Sequence, residues 1–227
     1  MTNLAEDLLL ISLDDDGRPR NPRSALGYAV AGGIIAELLL SGRIMLGPDK
    51  KAQVAGIGQG TGDKVLDGAL ERIRAEEKPR DVKWWVRKIA GGDWSNEAAR
   101  NDVIDDLTDD GVLTRQTGKA LGMFTVTTHP PADPAAPERP RAAVREVLIG
   151  GAAPDERTAA LVGLVNAAGL VDACVEKPDR KAARARAKEI ARGEHVSDAV
   201  KALQEEIMAA VMVAITASSV AASSGGN

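Results

Sequence analysis

Reactive side chains are sparse in this chain, whereas cationic ones gather in three places. Arg18, Arg20 and Arg23 fall within GRPRNPR, where Pro19 and Pro22 break regular structure. A guanidinium offers planar, paired donors that match phosphate oxygens, so this loop reads either as solvated charge or as an anion-binding rim. A second group, Arg180, Lys181, Arg184, Arg186, Lys188 and Arg192, winds around a thin alanine face in RKAARARAKEIARGEH. It reads as a solvated basic helix or as a phosphate- or nucleic-acid-binding one. In VLTRQTGKALGMFTVTTHP, Arg115 and Lys119 accompany Leu121, Met123 and Phe124. That mixture suits an anionic membrane surface if the apolar residues point outward, and the domain's own core if they fold back.

Other chemistries find little purchase. The chain has two histidines, His129 and His195, and no nucleophile motif or metal-ligand spacing, so no general base with a partner is visible and no catalytic residue, metal or cofactor is expected. Gly56, Gly58, Gly60 and Gly62 alternate, a spacing that matches neither the dinucleotide fingerprint nor a phosphate loop. Asp14 to Asp16 read as a solvated turn. Asp102, Asp105, Asp106, Asp109 and Asp110 lack the calcium-loop order and read as a solvated helix face.

These residues must be positioned by helices. LGYAVAGGIIAELLLSGRI, Leu26 to Ile44, is apolar on nearly every side and reads as a central helix wrapped by others. Its apolar run is broken by Gly32, Gly33 and Glu37 and falls short of the roughly 20 residues a bilayer span needs. Glu37 is expected to be buried and paired with an arginine or with backbone donors, since an unpaired buried charge is costly. Helical periodicity predicts further helices from Leu4, at 64–76, 82–90, 96–110, 141–148, 157–169 and 196–218, the last buried where it becomes wholly apolar from Ala209 to Ile215. Strand pairing is expected mainly at 112–127, with the hairpin turn near Thr117 and Gly118 or around Gly122. Prolines 130, 131, 134, 137 and 140 read as a stiff surface connection. Among the tryptophans, Trp85 is expected in the core, with Trp84 and Trp94 at its edge or on the surface.

With 44% hydrophobic residues but 2% aromatic ones, the core must be built of Ala, Leu, Val and Ile, which favours a mostly helical fold. No break in composition divides the 227 residues, so one domain over 1–222 is expected, with a disordered tail at 223–227. The net charge of −4 and pI near 5.4 argue against a nucleic-acid-coating protein. The single Cys174 excludes an intrachain disulfide and suits a reducing cytosol, and MTNLAEDLLL shows no secretion signal.

The ordered series LAEDLLLISLDDDG, LGYAVAGGIIAELLLSGRI, TGDKVLDGALERI, KWWVRKIAGGDW and GVLTRQTGKALGMFTVTTHP resembles the Golgi phosphoprotein 3 family, including its actinobacterial relatives, over nearly the whole chain. The resemblance implies one mostly helical domain around a central hydrophobic helix, with one projecting β-hairpin. It implies a non-enzymatic, cytoplasmic protein, peripheral at the membrane, that binds phosphatidylinositol 4-phosphate, holds the tails of membrane-protein clients and self-associates through the hairpin. The family's headgroup residues are a tryptophan before the central helix, an arginine within it, and two basic residues on the helix before the hairpin. These fall near Pro22, on Ala31, near Glu97 and on Arg100, so Arg100 is the one basic position retained; Arg20 and Arg23 can reach the same neighbourhood from the loop. The expected headgroup residues are thus Arg100, Arg20 and Arg23, and the expected membrane or partner contacts are Arg115, Lys119, Leu121, Met123 and Phe124. A helical protein-interaction scaffold without lipid contact is the alternative.

Overall fold

The computed structural model describes residues 2–20, 23–47, 49–55, 60–92, 97–120, 124–193, 205–206, 208–213 and 216, and of residues 23, 24, 120 and 124 the backbone alone. The first helix, α1 (Leu4–Ser12), is nucleated by a capping box. The Asn3 side chain accepts from the amides of Ala5 (2.9 Å) and Glu6 (3.0 Å), and the Glu6 carboxylate accepts from the Asn3 amide (2.9 Å). These bonds satisfy donors that a helix start otherwise leaves unpaired. All nine residues of α1 are buried, which LAEDLLLIS can sustain only because Glu6 and Asp7 find partners.

The predicted central helix is α2 (Arg23–Leu40), buried continuously from Leu26 to Ala36. Its glycine pair has a packing role. A β-carbon on Gly33 would sit 3.1 Å from the backbone of Ala5, so the bare position lets α1 and α2 approach closely. No helix among the described residues is long and apolar enough to cross a membrane.

A three-stranded antiparallel sheet follows, β1 (Ile44–Leu46), β2 (Lys51–Val54) and β3 (Arg80–Asp81), with Ile44 opposite Val54 and Lys51 opposite Asp81. It adds strand pairing outside 112–127. Strands of two to four residues are too short to display a period-two pattern. Within and after it come α3 (Lys64–Ala75), capped by Asp63 on the Leu66 amide (2.9 Å), and α4 (Val82–Ala90), capped by Asp81 on the Trp84 amide (2.7 Å). Trp85 lies in the core as expected. Trp84 is half-buried, edge-on to Trp85 and covered by Arg80; Trp94 lies outside the described residues.

Helix α5 (Ala98–Asp109) leads to the hairpin of β4 (Gln116–Ala120) and β5 (Phe124–Thr128), whose register runs from Gln116 opposite Thr128 to Ala120 opposite Phe124. Thr117 and Gly118 are paired strand residues, so the turn does not lie there; 121–123, around the alternative Gly122, lie outside the described residues. Helix α6 (Ala135–Leu148) starts six residues before the predicted 141. Pro137 sits in its first turn, where a missing amide costs nothing, and Pro137 and Pro140 are both buried, so this part of the proline-rich stretch is helix and not surface connection.

Helix α7 (Glu156–Ala167) is capped by Asp155 and leads through a short 3₁₀ turn at Val171–Ala173 into the basic helix α8 (Arg180–Ala191). Helices α1, α3, α4, α5 and α7 pack on α2, while α6 covers α1 and α8 covers α7. Residues 205–206, 208–213 and 216 are helical; Ala210 and Val211 are buried, but Met212 and Val213 are 47% and 39% exposed, against the expectation of a wholly buried end. The predicted tail at 223–227 lies outside the described residues. The architecture is mostly α with small antiparallel sheets, as the composition predicts.

Candidate functional site

The ionisable groups at the centre of the bundle serve the fold. Arg157 of α7 donates to Glu37 of α2, to Asp7 of α1 (3.0 Å) and to the Thr2 carbonyl (2.6 Å), and Glu37 also accepts from the Leu4 amide (2.9 Å). Glu37 thus has both the arginine and the backbone donor expected of it, and this knot ties three helices together. Nearby, carboxylate oxygens of Glu6, Asp63 and Asp106 lie within 4.8 Å of one another. Burial, with added repulsion from Asp63 and Asp106, raises the Glu6 pKa to about 7 despite the hydrogen bond from Asn3, so its proton relieves the cluster. Three separate segments supply these carboxylates, which is why no local motif announces them; Asp106 faces this cluster instead of solvent. Burial likewise pushes the Cys174 thiol up to about 12 and leaves it unreactive.

The predicted headgroup residue Arg100 lies in the first turn of α5 and lines a cavity of about 370 Å³ with Arg115, His129, Asp105, Pro19 and Gly17. Its side chain is 13% exposed. Its Nη2 reaches Asn101 (3.1 Å) and lies 3.5 Å from Glu97, while its buried Nε has no hydrogen-bond partner among the described residues. Arg115 donates to Asp105 (2.6 Å). Burial and then the two arginines push the His129 pKa down, so the imidazole faces the cavity neutral. Two guanidinium groups at the mouth of a helix N-terminus form a recess suited to an anion.

Gly17 closes this recess. Its φ of +74° is a left-handed conformation, and a β-carbon there would lie 2.1 Å from His129 C and Pro130 N, so the Asp14–Gly17 turn can press against the hairpin's exit only as glycine. The His129 amide donates to the Gly17 carbonyl (3.2 Å).

The predicted site residues divide accordingly. Arg100 and Arg115 come together, but Arg115 stands just before β4, at the hairpin's base. It is five strand residues, roughly 17 Å, from the tip where it was expected. Lys119, opposite Thr125, is exposed near the tip. Leu121 and Met123 lie outside the described residues, as does the side chain of Phe124. Arg23 starts α2, with its side chain outside the described residues. Arg20 does not join Arg100: its Nε donates to the Leu13 carbonyl (3.0 Å) and it lines a different cavity, with Arg180, Arg184 and Lys188. Sequence reasoning missed His129 and Asp105 as cavity walls. The one available signal was that a hairpin's two ends meet, which puts His129 beside Arg115.

Comparison with known proteins identifies the family. The family model described as Golgi phosphoprotein 3 (GPP34) matches residues 4–207, and the chain belongs to that family. It is similar to the vacuolar protein sorting-associated protein 74 of Eremothecium gossypii, with 29% identity over 163 residues, 64% of this chain and 49% of the relative. The chain spans about half the length of that relative.

Proposed function

We propose that this member of the Golgi phosphoprotein 3 family is a non-enzymatic peripheral membrane adaptor. It takes a phosphorylated lipid headgroup, of the phosphatidylinositol 4-phosphate type, in the Arg100–Arg115 cavity and touches the bilayer with its hairpin tip. The observation that carries this reading is Arg100: a largely buried guanidinium whose Nε is unsatisfied among the described residues and which faces a recess shared with a second arginine. A buried donor without a partner is costly, and an incoming phosphate oxygen would remove that cost. The exposed Val126 on β5, opposite Gly118, adds an apolar surface on the hairpin face opposite Lys119. Leu121, Met123 and Phe124 would then enter the interface while the cations stay at its charged level. Family membership supports extending the proposal to a client held at the membrane surface and to self-association through the hairpin.

The test is sedimentation with phosphatidylcholine vesicles carrying phosphatidylinositol 4-phosphate. Arg100→Ala should abolish headgroup-dependent pelleting, and Leu121→Ser with Met123→Ser should weaken pelleting at every salt concentration. Unchanged binding by Arg100→Ala at low salt overturns the headgroup assignment. The second reading, a protein-binding scaffold without lipid contact, draws on the Arg115–Asp105 pair, which already neutralises one of the cavity's cations. Absence of vesicle binding by the wild-type chain would favour it.

A further inference from the structure

The loop arginine that misses the Arg100 cavity belongs to a second basic recess, and the two cavities share no lining residue. This one, about 500 Å³, opens between the loop before α2, the 3₁₀ turn after α7 and the outer face of α8. Arg20, Arg180, Arg184 and Lys188 line it with one carboxylate, Asp172, so the lining carries a formal +3 on a chain whose total is −4, with the exposed Asp15 standing 3.9 Å from Arg20 outside the lining.

Asp172 is already engaged. Arg184 grips it through Nε (2.8 Å) and Nη2 (2.5 Å), a two-point contact that fixes the guanidinium. Arg180 Nε stands 3.6 Å from the same carboxylate, too far for a hydrogen bond, and is a buried donor without a partner among the described residues. Lys188 is exposed and makes no ion pair among the described residues. Behind the rim, Arg141 is 9% exposed and shares the Leu13 carbonyl (2.6 Å) with Arg20 (3.0 Å). Burial and the Arg20 charge push the Arg141 pKa down, as they would where positive charge is crowded and unneutralised.

We propose that this recess is a second anion site, separate from the headgroup cavity, for a small ligand bearing two or more phosphoryl groups. Arg184, preset by Asp172, and Arg180 supply directed donors, and Arg20 and Lys188 supply charge. Its size falls in the range of small-molecule sites, roughly 300 to 1,000 Å³. A net charge of +3 exceeds what one carboxylate would balance and matches a diphosphate-type anion. The confined recess on an acidic chain disfavours an extended nucleic acid, which needs a continuous basic surface. Two sources present this chemistry: a soluble diphosphate compound and a lipid headgroup with more than one phosphomonoester.

Isothermal titration calorimetry with inorganic pyrophosphate at low salt tests the site. The full chain should bind pyrophosphate in this recess; Arg184→Gln should weaken that binding at least about tenfold, as loss of a charged hydrogen bond does. Lys188→Gln should weaken it severalfold, and because Lys188 is exposed and makes no ion pair among the described residues, that variant stays informative if Arg184→Gln folds poorly. Lys181→Gln, on the exposed side of α8 and outside the cavity lining, should bind as the wild type does, which separates the recess from the general charge of the helix. Absence of pyrophosphate binding, wild-type affinity in Lys188→Gln, or an equal loss of binding in Lys181→Gln would each overturn the proposal. Vesicles carrying a bisphosphorylated inositol lipid identify the source. Pelleting reduced in Lys188→Gln assigns the site to a lipid headgroup, and pelleting retained while pyrophosphate binding falls assigns it to a soluble anion.

Discussion

Replacing Glu6 by Gln should make the protein more stable at pH 8 and leave it little changed at pH 5. Glu6 is 8% exposed, and burial beside Asp63 and Asp106 moves its pKa from 4.5 to about 7. Between those values the folded chain holds the proton and the unfolded chain releases it, so this group's stabilisation is present below about pH 4.5 and is lost as pH rises through 7. At roughly 1.4 kcal/mol per pH unit of displacement, the wild type should lose about 3 kcal/mol at most across that window. Asp7 and Asp106, also raised by burial, act in the same direction. His129, lowered by burial, acts in the opposite one, gaining stability as pH rises toward 6.5. The difference between wild type and Glu6→Gln cancels these contributions, and Gln keeps an oxygen to accept the Asn3 amide of the capping box. Urea denaturation from pH 5 to 8 measures the difference directly. It should grow by about 2.5 kcal/mol from pH 5 to pH 8, or roughly 5 to 10 °C in melting temperature for a chain of this size. A difference that stays flat with pH would refute the reasoning.

Arg157→Ala should cost about 2 to 3 kcal/mol by urea denaturation, because it leaves Glu37 and Asp7 paired with nothing charged; the figure lies below that of a fully buried pair because Arg157 is more than a third exposed. Arg157→Lys should recover only part of that loss, since an ammonium cannot span Glu37, Asp7 and the Thr2 carbonyl as the guanidinium does. Gly17→Ala should lower stability by roughly 1 to 3 kcal/mol through its left-handed backbone alone and reduce vesicle pelleting with it, because the clash falls on His129 and Pro130 at the cavity wall; normal pelleting at full folded content would contradict the wall assignment. Charge reversal at Arg115 should remove headgroup-dependent pelleting, whereas reversal at Lys119 should weaken pelleting chiefly at low salt, where exposed charges are least screened; identical effects of the two would place them back at one site.

Much of the fold was readable because its signals are local. Asp63, Asp81 and Asp155 each precede an apolar periodic run and cap it, so the starts of α3, α4 and α7 follow from neighbouring residues. The start of α6 was misread for an equally local reason: Pro137 and Pro140 carry a breaker's signal, yet Pro137 in the first turn forfeits a bond that the turn never makes, and Pro140, inside the helix, is carried by its burial. The strands at 44–54 and 80–81 show no periodicity to read. Long-range pairing is a different matter. The sequence demanded a partner for Glu37 without naming one, since Arg157 is 120 residues away and could be identified only once α7 was packed against α2.

The candidate site divides along the same line. Arg100 is proposed by position alone, but what surrounds it depends on how the Asp14–Gly17 turn and the hairpin meet. Strand pairing through Thr117 and Gly118 rules out the first of the two turn positions the sequence offers and sets Arg115 at the hairpin's base, with Asp105 and His129. A few residues of register thus decide whether one cation belongs to a membrane-facing tip or to a ligand recess, because each step along a strand displaces a side chain by about 3.4 Å. The hairpin's five paired positions separate a base, where Arg115 and His129 line the Arg100 cavity, from the strand ends at Ala120 and Phe124. Under the proposed function, recess and tip act on one bilayer together only if the hairpin holds its register, so strand pairing between Gln116 and Thr128 would itself belong to the binding apparatus.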